Sequence, residues 1–247
     1  MIKHRKYIIE NSGLDNLKLA VISDVHNKKI TPDSRIFSIL KKISPDYIIF
    51  AGDMISRTTT DLSSFELLCE KCAEFGDIYL AYGNHEQSTP KEILDDYIKI
   101  TEKYNINILD NKSLDFGKFE LIGLTLDYSV YKNSDGTYRN LTTPDKKMID
   151  NLIGTKNKDK FTVLIAHNPL FFDVYAEWGA NLVISGHMHG GIVQLPVCGG
   201  MLSPERSFFP KYTYGKYTIG NSDMIVSSGI GKFRIFNPAD ICEITLK

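Results

Sequence analysis

Along the chain, short continuous apolar runs alternate with amphipathic stretches. Residues 17–23, 47–51 and 78–81 are the apolar runs, and residues 34–42 and 62–75 lie between them with apolar positions at helical spacing. The order is therefore βαβαβ. Within the runs, Ala20-Val21-Ile22 and Tyr47-Ile48-Ile49-Phe50 are apolar at successive positions. Such strands are buried on both faces, with helices covering the sheet. Residues 90–103 predict a further helix, with Ser88 or Thr89 able to cap it and Pro90 tolerated in its first turn.

From residue 106 the pattern changes to shorter strands, including 119–124, 162–166, 181–185, 192–195, 224–228 and 241–246. They predict a second sheet. Residues 128–143, which hold Asn133-Ser134-Asp135-Gly136, and residues 196–215, rich in glycine, proline and aromatics, predict loops near strand ends. No internal repeat or low-complexity linker interrupts the 247 residues, so residues 1–247 are expected to form one domain.

Composition removes several function classes. With 29 Lys plus Arg against 30 Asp plus Glu, the net charge of -1 gives no electrostatic case for nucleic acid or a charged bilayer. Cys69, Cys72, Cys198 and Cys242 are too few and too scattered for a disulfide framework, which fits a reducing compartment. Cys69-x-x-Cys72 lies in residues 62–75, where Leu67, Leu68, Cys72 and Phe75 can form an apolar helix face, so core packing is expected of the pair rather than redox chemistry or zinc. The basic start Met1-Ile2-Lys3-His4-Arg5-Lys6 is followed by no apolar run before Asn11, so neither a signal peptide nor a membrane span is predicted. A cytoplasmic protein is expected, membrane-associated if the native N-terminus carries an anchor.

Five of the six histidines fall in four short segments that follow apolar runs: Asp24-Val25-His26, Gly83-Asn84-His85, His167 and Gly186-His187-Met188-His189. Gly52-Asp53 adds a carboxylate in the same kind of position. Carboxylate, amide and imidazole donors without thiolate suit borderline divalent ions. Each segment comes at the carboxyl end of a predicted strand, the edge where loops bring together residues distant in sequence.

The ordered pattern Asp-x-His, Gly-Asp, Gly-Asn-His-Glu, His, Gly-His-x-His, running from Asp24 to His189, resembles the calcineurin-like metallophosphoesterase family. That resemblance implies an α/β fold, a four-layer α/β/β/α sandwich with two mixed sheets. It also implies two divalent metal ions (Mn, Fe, Zn or Co, with Mn favoured). One would be held by Asp24, His26, Asp53 and His189, and the other by Asp53, Asn84, His167 and His187, with Asp53 bridging. The implied reaction is hydrolysis of phosphoester or pyrophosphate bonds, with a metal-bridging hydroxide as nucleophile and His85 as general acid or transition-state stabiliser. The stretch from Gly186 to Pro196 and the ending Gly229-Ile230-Gly231 through Arg234, Asn237-Pro238 and Ile241 look like one branch of the family. That branch is often membrane-anchored, and some members hydrolyse the pyrophosphate of UDP-2,3-diacylglucosamine. A phosphorylated small-molecule or lipid-linked substrate, with peripheral membrane association, is the corresponding expectation. Position 56 is Ser, where purple acid phosphatases place a metal-binding tyrosine, so a ferric-tyrosinate site is not expected.

Other residues carry two readings. Arg57, Arg206 and Arg234 either grip a second phosphate or are solvated. Phe208, Phe209, Tyr212, Tyr214 and Tyr217 either wall the substrate or pack a long loop. The rival functions are a nuclease, against which the near-neutral charge argues, and a catalytically silent scaffold, against which the complete ligand pattern argues.

Overall fold

The computed structural model describes residues 2–26, 28–138, 140–191, 194–195, 199–200, 210–231 and 237–247. Arg206, Phe208, Phe209 and Arg234, together with residues 192–193 of an expected strand, lie outside them. The first half runs β1 (Ile2–Ile9), β2 (Leu17–Ile22), α1 (Arg35–Ile43), β3 (Tyr47–Ala51), α2 (Ser63–Ala73), β4 (Asp77–Ala81), α3 (Asn84–Gln87) and α4 (Lys91–Lys103). The second half continues β5 (Asn107–Ile108), β6 (Lys112–Asp115), β7 (Phe119–Leu124), α5 (Lys146–Ile153), β8 (Phe161–Ala166), α6 (Phe172–Trp178) and β9 (Leu182–Ser185). It closes with β10 (Gln194–Leu195), β11 (Gly199–Gly200), β12 (Gly215–Ile219), β13 (Ser222–Val226) and β14 (Ala239–Leu246). Residues 128–143, expected as loop, carry among their described residues only one 3-10 turn, at Tyr128–Val130.

Two six-stranded sheets form, ordered β1-β14-β2-β3-β4-β5 and β12-β13-β9-β8-β7-β6. Both are mixed: β2, β3, β4 and β5 are parallel while β14 runs antiparallel to β2, and β7, β8, β9 and β13 are parallel with antiparallel edges β6 and β12. The period-2 pleat explains why the runs are apolar throughout. Ala20, Ile22, Ile48 and Phe50 face a layer containing Ile36, Leu40, Phe65, Leu68 and Tyr97 from α1, α2 and α4. Their neighbours Leu19, Val21, Ile49 and Ala51 face Val163, Ile165, Leu182 and Ile184 of the second sheet. On that sheet's outer face Leu164, Val183 and Met224 pack with Ile149, Phe172, Tyr175 and Trp178 of α5 and α6. Three apolar interlayers thus separate four layers, the α/β/β/α sandwich expected.

Cys69 and Cys72 are fully buried in the first interlayer, as the helical pattern predicted. Tyr212 packs its ring against Phe172 and Tyr217, and Tyr214 lies under the Arg5 guanidinium, so these aromatics serve packing. The basic N-terminal segment, not predicted as a strand, is β1. Two of its cations are paired with the far end of the chain, Arg5 with Asp240 at 2.8 Å and Lys6 with Glu243 at 3.0 Å, and His4 Nε2 lies 2.6 Å from Glu243 Oε2. No helix among the described residues is long and apolar enough to cross a membrane.

Candidate metal centre

Strands β2, β3 and β4 belong to the first sheet and β8 and β9 to the second, and their carboxyl ends meet. Asp24, Asp53, Asn84, His167 and His187 follow those ends within three residues. Backbone bonds tie the loops together. Asp24 N donates to Gly52 O at 3.0 Å and His26 N to Asp53 O at 3.1 Å. From the second sheet, His187 N donates to the two Asp24 carboxylate oxygens at 3.1 and 3.0 Å.

The loops are held in unfavourable backbone conformations. Asp24, His26, Asp53, His187 and His189 have φ of 51°, 52°, 55°, 68° and 51°, whereas the other described non-glycine residues at positive φ are five asparagines and Ser44. Left-handed conformations cost roughly 1–3 kcal/mol each for such residues and persist where the surroundings over-determine them. Here the inter-loop hydrogen bonds do so, and they aim five side chains inward.

Three overlapping groups of donor atoms result: Asp24, His26 and His189; His26, Asp53 and His85; and Asp53, His167 and His187, with donors in each group within 4.8 Å of one another. Asp53 Oδ2 lies 3.8 Å from His26 Nε2, 3.8 Å from His85 Nε2 and 3.3 Å from His167 Nε2. Asp24 Oδ1 lies 3.8 Å from His26 Nε2 and 3.7 Å from His189 Nδ1. All eight predicted residues are buried, including Asn84 at the start of α3. The structure brings every one of them to this place.

The donors suit a cation. His167 Nδ1 meets the Ala51 carbonyl at 2.7 Å; a carbonyl only accepts, so Nδ1 carries the proton and Nε2 presents its lone pair. That Nε2 and Asn84 Oδ1 are buried and take no hydrogen bond among the described residues, a costly arrangement unless something else binds them. Electrostatics agree. Burial works against a charged His167, yet Asp53 and Asp24 lift it to about 10. Burial and then Asp53 push Asp24 above the usual carboxylate value, offset by His167. Burial opposes ionisation of Asp53 too, but His167, His85 and His26 hold it well below the usual range. A divalent cation supplies the positive charge that these buried carboxylates otherwise draw from a protonated imidazole.

Glu86 had no role in the sequence reading beyond its place in Gly-Asn-His-Glu. Its buried carboxylate accepts from the backbone N–H of Asp53 at 3.0 Å, Met54 at 2.7 Å, Ile55 at 3.3 Å and Gly83 at 2.9 Å. It thereby clamps the loop after β3 to the loop after β4. Gly83 is required on steric grounds, since a Cβ there would strike the Asp53 carboxylate. Asn237, noted only within the ending, donates to the His189 and Gly191 carbonyls and fixes the last ligand loop. Four bonds to amides of two loops are invisible to a motif, because nothing in the spacing says which amides converge. Around the centre, half-buried Arg57 reaches the Tyr128 hydroxyl at 3.4 Å, and the Tyr131 ring lies edge-on to His187 at 5.1 Å.

The sequence profile of the calcineurin-like phosphoesterase family matches residues 17–191. The chain belongs to this family. An uncharacterized metallophosphoesterase of Campylobacter jejuni is 30% identical over 242 residues, covering 94% of this chain, and the chain spans 59% of that relative's length. The UDP-2,3-diacylglucosamine pyrophosphatase LpxG of Chlamydia muridarum is 23% identical over 286 residues, covering 93% of this chain and 83% of LpxG. Among solved structures, a phosphopantetheinyl hydrolase of Mycobacterium tuberculosis aligns with a TM-score of 0.51 at 12% identity, over 89% of this chain and 90% of that one. At that identity the likeness concerns the fold. The family is one of metallophosphoesterases, and the buried His and Asp clusters of this chain are groups that could hold metal.

Proposed function

We propose that residues 1–247 form one catalytic domain, a dinuclear metal-dependent hydrolase of phosphoester or pyrophosphate bonds. Asp24, His26, Asp53 and His189 would hold one divalent cation, and Asp53, Asn84, His167 and His187 the other, with manganese the favoured metal among Mn, Fe, Zn and Co. The observation that carries this reading is the position of Asp53, which belongs to two of the three donor groups and sits between the remaining ligands. Two bound cations supply the charge that neutralises phosphoryl oxygens and acidifies a water.

The protein's own groups do the rest. Arg57 N–H donates to His85 Nδ1 at 3.0 Å, so the neutral ring carries its proton on Nε2, on the side of Asp53. Releasing that proton would leave an imidazolate, and a general-acid role would require protonating Nδ1 and breaking the Arg57 bond. His85 therefore acts by donating Nε2–H to a phosphoryl oxygen as charge builds there. Ala51 O fixes the His167 tautomer, and Glu86 fixes Asp53. Likeness to LpxG supports a pyrophosphate or lipid-linked substrate, and the buried free thiols Cys69, Cys72 and Cys242 support a reducing, cytoplasmic setting.

The test is hydrolysis of bis-p-nitrophenyl phosphate by protein stripped with chelator and reloaded with manganese. Activity restored by metal, with two ions per chain by elemental analysis, is the expected result. One tightly bound ion, or turnover indifferent to metal, refutes the dinuclear reading.

A further inference from the structure

Asp240, near the start of β14, is fully buried. Its Oδ2 accepts from Arg5 Nε at 2.8 Å, and the Arg5 guanidinium lies over the Tyr214 ring, 4.7 Å from the centroid. Taking a carboxylate out of water is costly unless a cation and hydrogen bonds face it. Arg5, on edge strand β1, supplies the cation; no other cation pairs with Asp240 among the described residues.

The second oxygen of Asp240 serves the turn after β13. Oδ1 accepts from Ser227 Oγ at 2.9 Å and from Ser228 N at 3.0 Å, while Asp240 N donates to Gly229 O at 3.1 Å. Ser227 Oγ in turn accepts from Gly229 N at 2.9 Å. That turn backs the metal centre. Ile230 N donates to Ser23 O at 3.1 Å and Gly231 N to Asp24 O at 2.7 Å. Gly229 approaches so closely that a Cβ there would strike the Asp24 Cβ. The turn thus helps to hold Asp24 at its φ of 51°. Just before Asp240, Asn237 donates to the carbonyls of His189 and Gly191. Residues 237–240 therefore stand behind Asp24 and His189, two members of one donor group. No hydrogen bond among the described residues joins them to Asn84 or His167.

We propose that Arg5 and Asp240 are positioning residues for one of the two metal subsites, the one built on Asp24, His26 and His189. Arg5 touches none of those ligands. It aims Asp240, Asp240 fixes the turn at 227–231, and the turn fixes the backbone of Asp24. The inference rests on the dinuclear reading and adds to it a support that reaches the centre from β1.

The experiment titrates manganese into chelator-treated full chain by calorimetry, with urea midpoints measured alongside. Unmodified protein is expected to show two binding steps, and His189→Asn identifies the step that belongs to the Asp24 group. Arg5→Gln is expected to weaken that step about tenfold, the low end of what losing a group that orients a metal ligand costs, and to weaken the other step less. Arg5→Lys, which keeps a charge for Asp240 Oδ2, is expected to restore it. Ser227→Ala leaves the ion pair in place and removes the hydroxyl between Asp240 and Gly229. It is expected to weaken the same step, and it decides the matter if Arg5→Gln does not fold. Both steps weakened equally, or neither weakened while the urea midpoint falls, makes the pair a general stabiliser and overturns the inference with the dinuclear reading intact. A single binding step in unmodified protein refutes the dinuclear reading itself, and the positioning role falls with it.

Discussion

Replacing Glu86 by Gln tests the proposition that one buried carboxylate sets the position of Asp53. Each Glu86 oxygen serves two amides: Oε2 takes Asp53 N and Gly83 N, and Oε1 takes Met54 N and Ile55 N. Gln keeps the shape and one acceptor. Whichever way its amide turns, two buried N–H groups face an NH2 instead of an oxygen. An unsatisfied buried donor costs roughly 1–3 kcal/mol, so two cost about 2–6 kcal/mol. Part is returned, because burial and then the Asp53 charge oppose ionisation of Glu86 and push it up to about 7; Gln relieves that repulsion. A net loss of about 2–4 kcal/mol is expected. The assay is urea denaturation of chelator-treated protein at pH 8, above the Glu86 value, so that the carboxylate is ionised in the reference. Metal content of the reloaded protein is measured alongside, and should fall because the Asp53 loop is no longer pinned. An unchanged urea midpoint together with full metal loading would refute the clamp.

Asp53→Asn weakens both ligand sets at once, and elemental analysis should find fewer than two ions per chain with activity lost; two retained ions and normal turnover would remove Asp53 as the bridge. His85→Asn should keep both ions yet slow bis-p-nitrophenyl phosphate hydrolysis by about 10²-fold or more, the typical cost of removing one hydrogen-bond donor aimed at developing charge. His167 gives a pH dependence whose sign is fixed by its partners. Its folded value is raised from 6.5 to about 10, so in chelator-treated protein its stabilisation is full below about pH 6.5 and is lost as pH rises through about 10. Urea midpoints of the metal-free protein should fall across that window, and more steeply than those of His167→Gln; equal slopes would exclude the charged imidazole. Manganese must displace the same proton, so its apparent affinity should rise with pH over this range by calorimetry.

The inner strands were legible in the sequence because burial on both faces leaves a continuous apolar run, and residues 47–51 and 119–124 match β3 and β7. The ligands were legible because each directly follows such a run. Strand β1 was not, since its Lys, Arg and His residues read as solvated until Asp240 and Glu243 arrive from more than 230 positions away. The candidate ligands Asp24, His26, Asp53, Asn84, His167, His187 and His189, and His85 beside them, stand out by residue type and position, and the ordered pattern they form carries the family resemblance. Strand-end placement is a local property, and local properties are written in the chain. Tertiary structure decided how those loops are fastened: the Glu86 clamp, the His187 amide on Asp24, and the tautomers of His85 and His167 set by Arg57 N–H and Ala51 O. Each is a contact between backbone or side-chain groups whose meeting depends on how two sheets pack, and no spacing along one chain encodes that distance.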